Sequence, residues 1–297
     1  MTDVTDDLVL AEAPREPWTA RAVRRLAHGP AYVVMAAIGL FWLVPTIGLF
    51  IASLRTAADN SQSGWWRALT APSQLTLDNY QKLLDNQRIT DSLWNSVAIT
   101  VPTVVLLVLI AAMAAYAFAF VRFPGRDAVF LLVVGLLVVP LQVALIPIAQ
   151  LYGDLGIFGS IPSVVLFHVA FGMPFAVFLL RNFFLGIPGE LLEAARMDGA
   201  SELTVFLRVV LPLGIPAIAS LAIFQFLWVW NDLLVALVFA DTGAAPITVA
   251  IREQTRQFGS NIDVIAPGAF VSMVVPLIVF FSFQRYFVQG LLAGSQK

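Results

Sequence analysis

The sequence predicts an all-α polytopic membrane protein with six transmembrane helices, on three observations. The chain is 59% hydrophobic and 12% charged, with a mean hydropathy of +0.86, whereas a soluble domain carries about 25% charged residues. Six stretches each supply the roughly 20 mostly apolar residues that a bilayer crossing requires. The tight connections between them differ in charge: "VRFPGRD" carries two arginines and "LYGDLGIFGS" none, and arginine collects on the cytoplasmic side.

The first span is Ala31 to Leu54. Arg24 and Arg25 ahead of it imitate a twin-arginine leader, but the apolar run is too long for the hydrophobic region of a signal peptide. An uncleaved span with positive flanks is expected instead. The second span runs from about Leu93 to Phe120 and the third from Ala128 to about Gln150. The fourth covers about Ile161 to Leu180, the fifth about Leu213 to Ala240, and the sixth Pro267 to about Phe287. Pro140, Pro147, Pro174 and Pro276 can kink their helices without being hinges. With the N-terminus inside, cytoplasmic segments hold 11 Lys and Arg: Arg15, Arg21, Arg24, Arg25, Arg122, Arg126, Arg181, Arg196, Arg208, Arg285 and Lys297. Outside segments hold 6: Arg55, Arg67, Lys82, Arg88, Arg252 and Arg256. Both termini are therefore expected in the cytoplasm, in a bacterial inner or plasma membrane. Residues 1–20 carry five acids and little periodicity, so 1–30 reads as a loose cytoplasmic tail ahead of a membrane domain at 31–297.

Composition also excludes. There is no cysteine, which removes disulfides, thiolate metal sites and thiol catalysis. His28 and His168 are the two histidines, too few for a multi-histidine metal site. The net charge of -2 comes with no basic patch, so nucleic acid is not an expected partner.

The stretch "ELLEAARMDGASELTVFLRVVLPLGIPA", residues 190–217, is polar where its surroundings are not. Pro188 and Gly189 break the fourth helix. Glu190 and Glu193 are expected in a new first turn, where negative charge suits the helix dipole. Leu191, Ala194 and Ala195 share a face. Asp198-Gly199 allows a sharp turn, and Ser201 can cap a second helix. There Leu203, Phe206, Leu207, Val210 and Leu211 form an apolar stripe at helical spacing. Pro212 and Pro216 are expected to mark the turn back into the membrane. Such a bent pair can lie on lipid as an interfacial helix or dock another protein. The small surface of Ala194, Ala195 and Gly199 favours docking, because it admits a partner's backbone closely.

The same residues resemble the EAA motif of permease subunits from ABC importers. Glu193-Ala194-Ala195 is followed by Gly199 and then by Leu211-Pro212. The resemblance extends through "NSVAITVPTVVLLVLIAAMAAYAFAFVRFPGRD" and "VVPLQVALIPIAQLYGDLGIFGS" to the carbohydrate branch, over a core region of about 92–290. "FQFLWVWNDLLVALVF" and "FSFQRYFVQGLLAGSQK" are most similar to α-glucoside permeases. The resemblance implies a binding-protein-dependent importer permease fold, with the 190–217 segment as a cytoplasmic coupling-helix pair between spans four and five, seated in a separate ATPase subunit. Glu193, Ala194, Ala195, Asp198, Gly199, Leu211 and Pro212 would carry that coupling; Glu193 is either a polar contact or a solvated dipole charge. The implied partners are a second homologous permease, a cytoplasmic ATPase dimer and an extracytoplasmic sugar-binding protein, within membrane lipid. Independently, the chain has no G-x-x-x-x-G-K-[ST] loop and no Gly-Lys pair. It should bind no cofactor itself, with ATP used by the partner.

Candidate path residues are the polar and aromatic groups inside spans, which are expensive there and often functional. Gln225, Trp228, Trp230, Asn231 and Asp232 stand out in span five: aromatic faces stack on sugar rings, and amides and carboxylates bond hydroxyls. Asp232 lies about 28 Å along a span begun at Leu213, near the outer interface, so an aromatic belt is the competing reading. Gln142 and His168 are weaker candidates, since a lone histidine in a span more often bonds between helices. In the outer loops, "SGWWRAL" and "TLDNYQKLL" read as short amphipathic pieces. They and "TVAIREQTRQFGSNID" would face the sugar-binding protein or lie on the bilayer.

Three classes separate on these grounds. A non-catalytic importer subunit needs partners. A self-sufficient secondary transporter needs paired buried charges or inverted halves, and neither appears in the sequence. An enzyme needs a nucleophile–base or metal constellation, and none appears. Within the first class, a peptide or amino-acid permease is the alternative.

Overall fold

The computed structural model describes residues 18–254 and 262–295, with side chains described at 30–254 and 262–285. The expected tail lies largely outside the described residues, as do Arg256 and Lys297. Among the described residues there is no strand, and two isolated bridges join Arg55 to Leu75 and Gly159 to Ala240. The chain divides into two units between Leu49 and Phe50. The first holds most of the helix Trp18–Ser53, whose apolar part is Pro30–Ser53.

Among the described residues, five helices are long and apolar enough to cross a membrane: Pro30–Ser53, Gln87–Phe120, Ile161–Phe184, Glu202–Trp230 and Ile262–Arg285. A sixth crossing is made only if two shorter helices count together. Span three is therefore not one continuous rod from Ala128 to Gln150. It consists of Arg126–Val138 and Leu141–Asp154, bent by 102°. Pro140 has no N–H to continue a helix, and its ring drives Val139 to an extended conformation, φ -71° and ψ 119°.

Span five also differs from expectation at both ends. Instead of turning at Pro212, the chain is helical without interruption from Glu202 to Trp230. Residues Phe206–Val210 form a π-helical turn just before the proline, and the Leu211 N–H reaches back to the Phe206 carbonyl. The helix therefore runs through the proline instead of ending at it. At the other end the helix stops at Trp230 and a short one, Leu234–Phe239, follows. It does not continue to Ala240, because the Asn231 amide returns to the Leu227 carbonyl (2.7 Å) and Asp232 bonds the next helix's N–H groups.

Between spans one and two, the two amphipathic pieces are a 3₁₀ turn, Trp65–Leu69, and a helix, Asp78–Asp85. Arg55 is fully buried beneath them. Its guanidinium donates to the Gln74 Oε1 (3.0 Å), the Asp59 carbonyl (2.9 Å) and the Ser63 carbonyl (3.0 Å). Such complete pairing is what a buried charge requires.

The main core lies where spans two and four meet the base of span five. Ala111, Ala115 and Ala176 let the helices approach, and Leu107, Leu180, Phe184, Val210 and Leu221 fill the space between. Close packing of small residues drives helix association in lipid, where the solvent is as apolar as leucine.

Candidate functional site

The polar segment after span four begins as foreseen. The helix Gly189–Met197 follows Pro188, and Glu190 occupies its first turn; Glu193 falls beyond it. Gly199 sits at φ +83°, a left-handed position that suits glycine. Ser201 caps the next helix, its Oγ accepting from the Thr204 N–H (3.3 Å). The expected apolar stripe is redistributed. Val205, Phe206 and Val210 are buried, while Leu203 and Leu207 are exposed.

The helix 189–197 is fastened by Leu192, which is 1% exposed, and by Ala195, which packs on the main core. Opposite them Glu193, Ala194, Met197, Asp198 and Gly199 are exposed. Met197, at 86% exposure, was not singled out from sequence; the signal was an unbranched apolar residue beside the turn. Leu211 is half-buried and Pro212 exposed, both inside the continuous helix.

A polar junction that sequence reasoning missed lies beside this turn. Arg196, one of the arginines counted on the cytoplasmic side, does more than carry charge. Its Nε donates to Glu202 Oε1 at 2.9 Å, its Nη2 to Glu202 Oε2 at 3.2 Å, and the Tyr116 hydroxyl donates to the same Oε2. The hydrogen-bonded Glu202 carboxylate raises the Arg196 pKa beyond its ordinary range. Tyr116 belongs to span two and is 86 residues from Glu202, so no local pattern could have paired them.

The candidate path residues separate into different settings. Gln225 and Trp228 line a cleft of about 230 Å³ with Leu136, Leu137, Phe171 and Phe175. The break in span three brings Leu136 and Leu137 there. Gln225 is 1% exposed, and its Nε2 has no hydrogen-bond partner. Gly172 lies against that amide; an added Cβ would sit 2.5 Å from Leu107 Cδ1 and 3.0 Å from Gln225 Nε2. Gln142 is exposed in the first turn after the break and does not line the cleft.

Asp232 is turned towards the protein. Its Oδ2 accepts from the Ala236 N–H (3.1 Å) and lies 3.6 Å from His168 Nε2, too far for a hydrogen bond. His168 is 1% exposed, and its ring meets Trp228 edge-on at 5.5 Å. Asn231 is exposed, with its amide spent on closing the helix. Trp230 is buried and donates to the Ser272 carbonyl (2.9 Å), a span five to span six contact. Among the described residues, no group of three or more His, Cys, Asp and Glu could hold a metal.

Comparison with known proteins bears on this arrangement. Residues 92–293 match the family described as "binding-protein-dependent transport system inner membrane component". The osmoprotective compounds uptake permease protein GgtD of Synechocystis sp. is 47% identical over 273 residues, covering 90% of this chain and 92% of that one. The alpha-glucoside transport system permease protein AglG of Rhizobium meliloti is 49% identical over 235 residues, covering 77% of this chain and 62% of that one. A crystal structure of a bacterial ABC transporter involved in import of the acidic polysaccharide alginate superposes with a TM-score of 0.72 at 22% identity, over 93% of this chain and 100% of that one.

Proposed function

The chain belongs to the family of inner membrane components of binding-protein-dependent transport systems, and on that premise we propose that it is the permease subunit of an ATP-driven importer of α-glucosides or related oligosaccharides. The observation that carries the reading is the 189–199 segment. Leu192 anchors it from below, and Glu193, Ala194, Met197 and Gly199 stand on its open side. A polar, small-residue surface held on a fixed base suits a partner that pushes. The proposed partner is a cytoplasmic ATPase dimer, which also uses the ATP. A second permease would complete the path, and an extracytoplasmic sugar-binding protein would deliver the solute. Both termini then lie in the cytoplasm, with residues 31–297 as the permease domain.

Glu193, Ala194, Asp198 and Gly199 form the coupling surface or its turn in this proposal, and Leu211-Pro212 joins it to span five; Ala195, expected on that surface, instead packs inward on the main core. Solute specificity rests on relatives with glucoside and osmoprotectant transport in their names. Within the chain, the cleft lined by Trp228, Phe171 and Phe175 suits such a solute, because flat aromatic rings stack on sugar C–H faces.

The chain is co-expressed with its neighbouring transport genes, purified, and reconstituted with labelled trehalose and maltose. The expected result is copurification of an ATPase and a second permease, and sugar uptake that requires ATP. ATP hydrolysis by this chain alone would overturn the proposal. Uptake that follows a proton gradient without ATP would make it a secondary transporter, and uptake of peptides in place of sugars would move it to another solute branch.

A further inference from the structure

We propose that the Tyr116–Glu202–Arg196 junction is the linkage that carries movement of the 189–197 helix to span two, with Glu202 as the positioning residue at its centre. The inference rests on the coupling role proposed above and assigns the transmission step to residues outside the coupling surface.

Three elements end on one carboxylate. Arg196 comes from the last turn of the 189–197 helix, Glu202 from the first turn of the helix that becomes span five, and Tyr116 from the end of span two. Both Glu202 oxygens are engaged: Oε1 by Arg196 Nε, and Oε2 by Arg196 Nη2 and the Tyr116 hydroxyl. Tyr116 is itself fixed. It is buried, with its ring 5.2 Å from Phe206 and 5.6 Å from Phe120.

The junction spans the turn within the polar segment. Gly199, at φ +83°, lies between Arg196 and Glu202. Without a tie across this turn, a force on the 189–197 helix could be spent on changing the angle at Gly199. The forked guanidinium–carboxylate contact fixes distance and orientation together. Apolar contacts such as that of Leu192 hold the helix down but set no direction. The Tyr116 hydroxyl then extends the tie to span two, which packs along span four through Ala111, Ala115 and Ala176. Arg196 and Glu202 are well exposed, and ion pairs in such settings add little to stability. Removing the junction should therefore change coupling more than folding.

The test uses the complex reconstituted with its ATPase, second permease and binding protein, and the variants Glu202→Gln, Tyr116→Phe and both together. Uptake of labelled trehalose and maltose, ATP hydrolysis and ATPase copurification are measured side by side. The expected result is a retained ATPase and continued hydrolysis, with sugar imported per ATP falling by at least about fivefold, the lower end of coupling between sites. The double variant should be no worse than Glu202→Gln alone. An unchanged sugar-to-ATP ratio in both single variants overturns the linkage. So does loss of the ATPase from the complex, which would make these residues part of the docking surface. A wild-type complex without ATP-driven import overturns the importer reading itself; a wild-type complex that imports, with variants as efficient, overturns the linkage alone.

Discussion

His168 Nε2 lies 3.6 Å from Asp232 Oδ2, across the gap between span four and the short helix after span five. Asp232 spends its carboxylate on that helix, accepting from the Val235 and Ala236 N–H groups. Asparagine keeps an accepting oxygen at nearly the same shape, and alanine keeps none. Asp232→Asn should therefore insert and hold its ATPase with little loss of stability. Asp232→Ala should lose about 1 kcal/mol, as when a helix loses its cap. Thermal unfolding in detergent compares the two. Equal stability of both would show that the cap contributes nothing, and lost uptake in a stable Asp232→Asn would return the carboxylate to the sugar path.

Gly199 has open space around the position of a Cβ and φ +83°. The cost of a side chain there comes from the backbone: about 1–2 kcal/mol for an ordinary residue, and more for a β-branched one. Asparagine tolerates this conformation. Gly199→Val should reach the membrane but lose sugar uptake and ATPase copurification. Gly199→Asn should keep the turn and more of both. Normal uptake by Gly199→Val, with its ATPase attached, would remove the segment from the coupling role.

Gly172 lies where spans two, four and five meet. The Cβ of an alanine would overlap Leu107 and press on the Gln225 amide. Gly172→Ala should destabilise the protein by about 1–3 kcal/mol, the range for overpacking. Gly153, with nothing within 4 Å of its Cβ position, serves as the control and should tolerate alanine. Matching melting temperatures for the two variants would show that the contact is not tight.

Topology is open to a direct chemical test, because the chain has no cysteine. Asp127, Asp154 and Met197 are exposed and avoid the positive-φ glycines nearby. Cysteines at 127 and 197 should resist an impermeant thiol reagent added outside intact cells, and one at 154 should react. Outside labelling at position 197 would reverse the orientation and with it the coupling role.

Much of the fold is legible in the primary structure. The apolar runs mark the spans, because the bilayer demands length and hydrophobicity before anything else. Pro188, Gly199 and Ser201 mark the ends and turn of the polar segment through backbone chemistry that acts locally. Pro140 is visible as a possible kink, but the 102° bend is not, since a proline sets where a helix breaks and not the angle between the two pieces. Pro212 misleads for a related reason. A proline normally ends or bends a helix, and here the helix runs on through it, behind a π turn.

The sequence by itself determined the membrane class, the number of apolar stretches and the place of the polar turn after span four. Each of these follows from composition or from interactions within a few residues. Only the tertiary structure decided which polar groups meet. Tyr116 finds Glu202 across 86 residues, Gln225 and Trp228 share a cleft while Asp232 turns to a helix end, and Trp230 bonds span six. These pairings depend on the rotation of whole helices about their axes. That rotation is set by close packing of small residues between spans, a property of the assembled bundle that no single span carries.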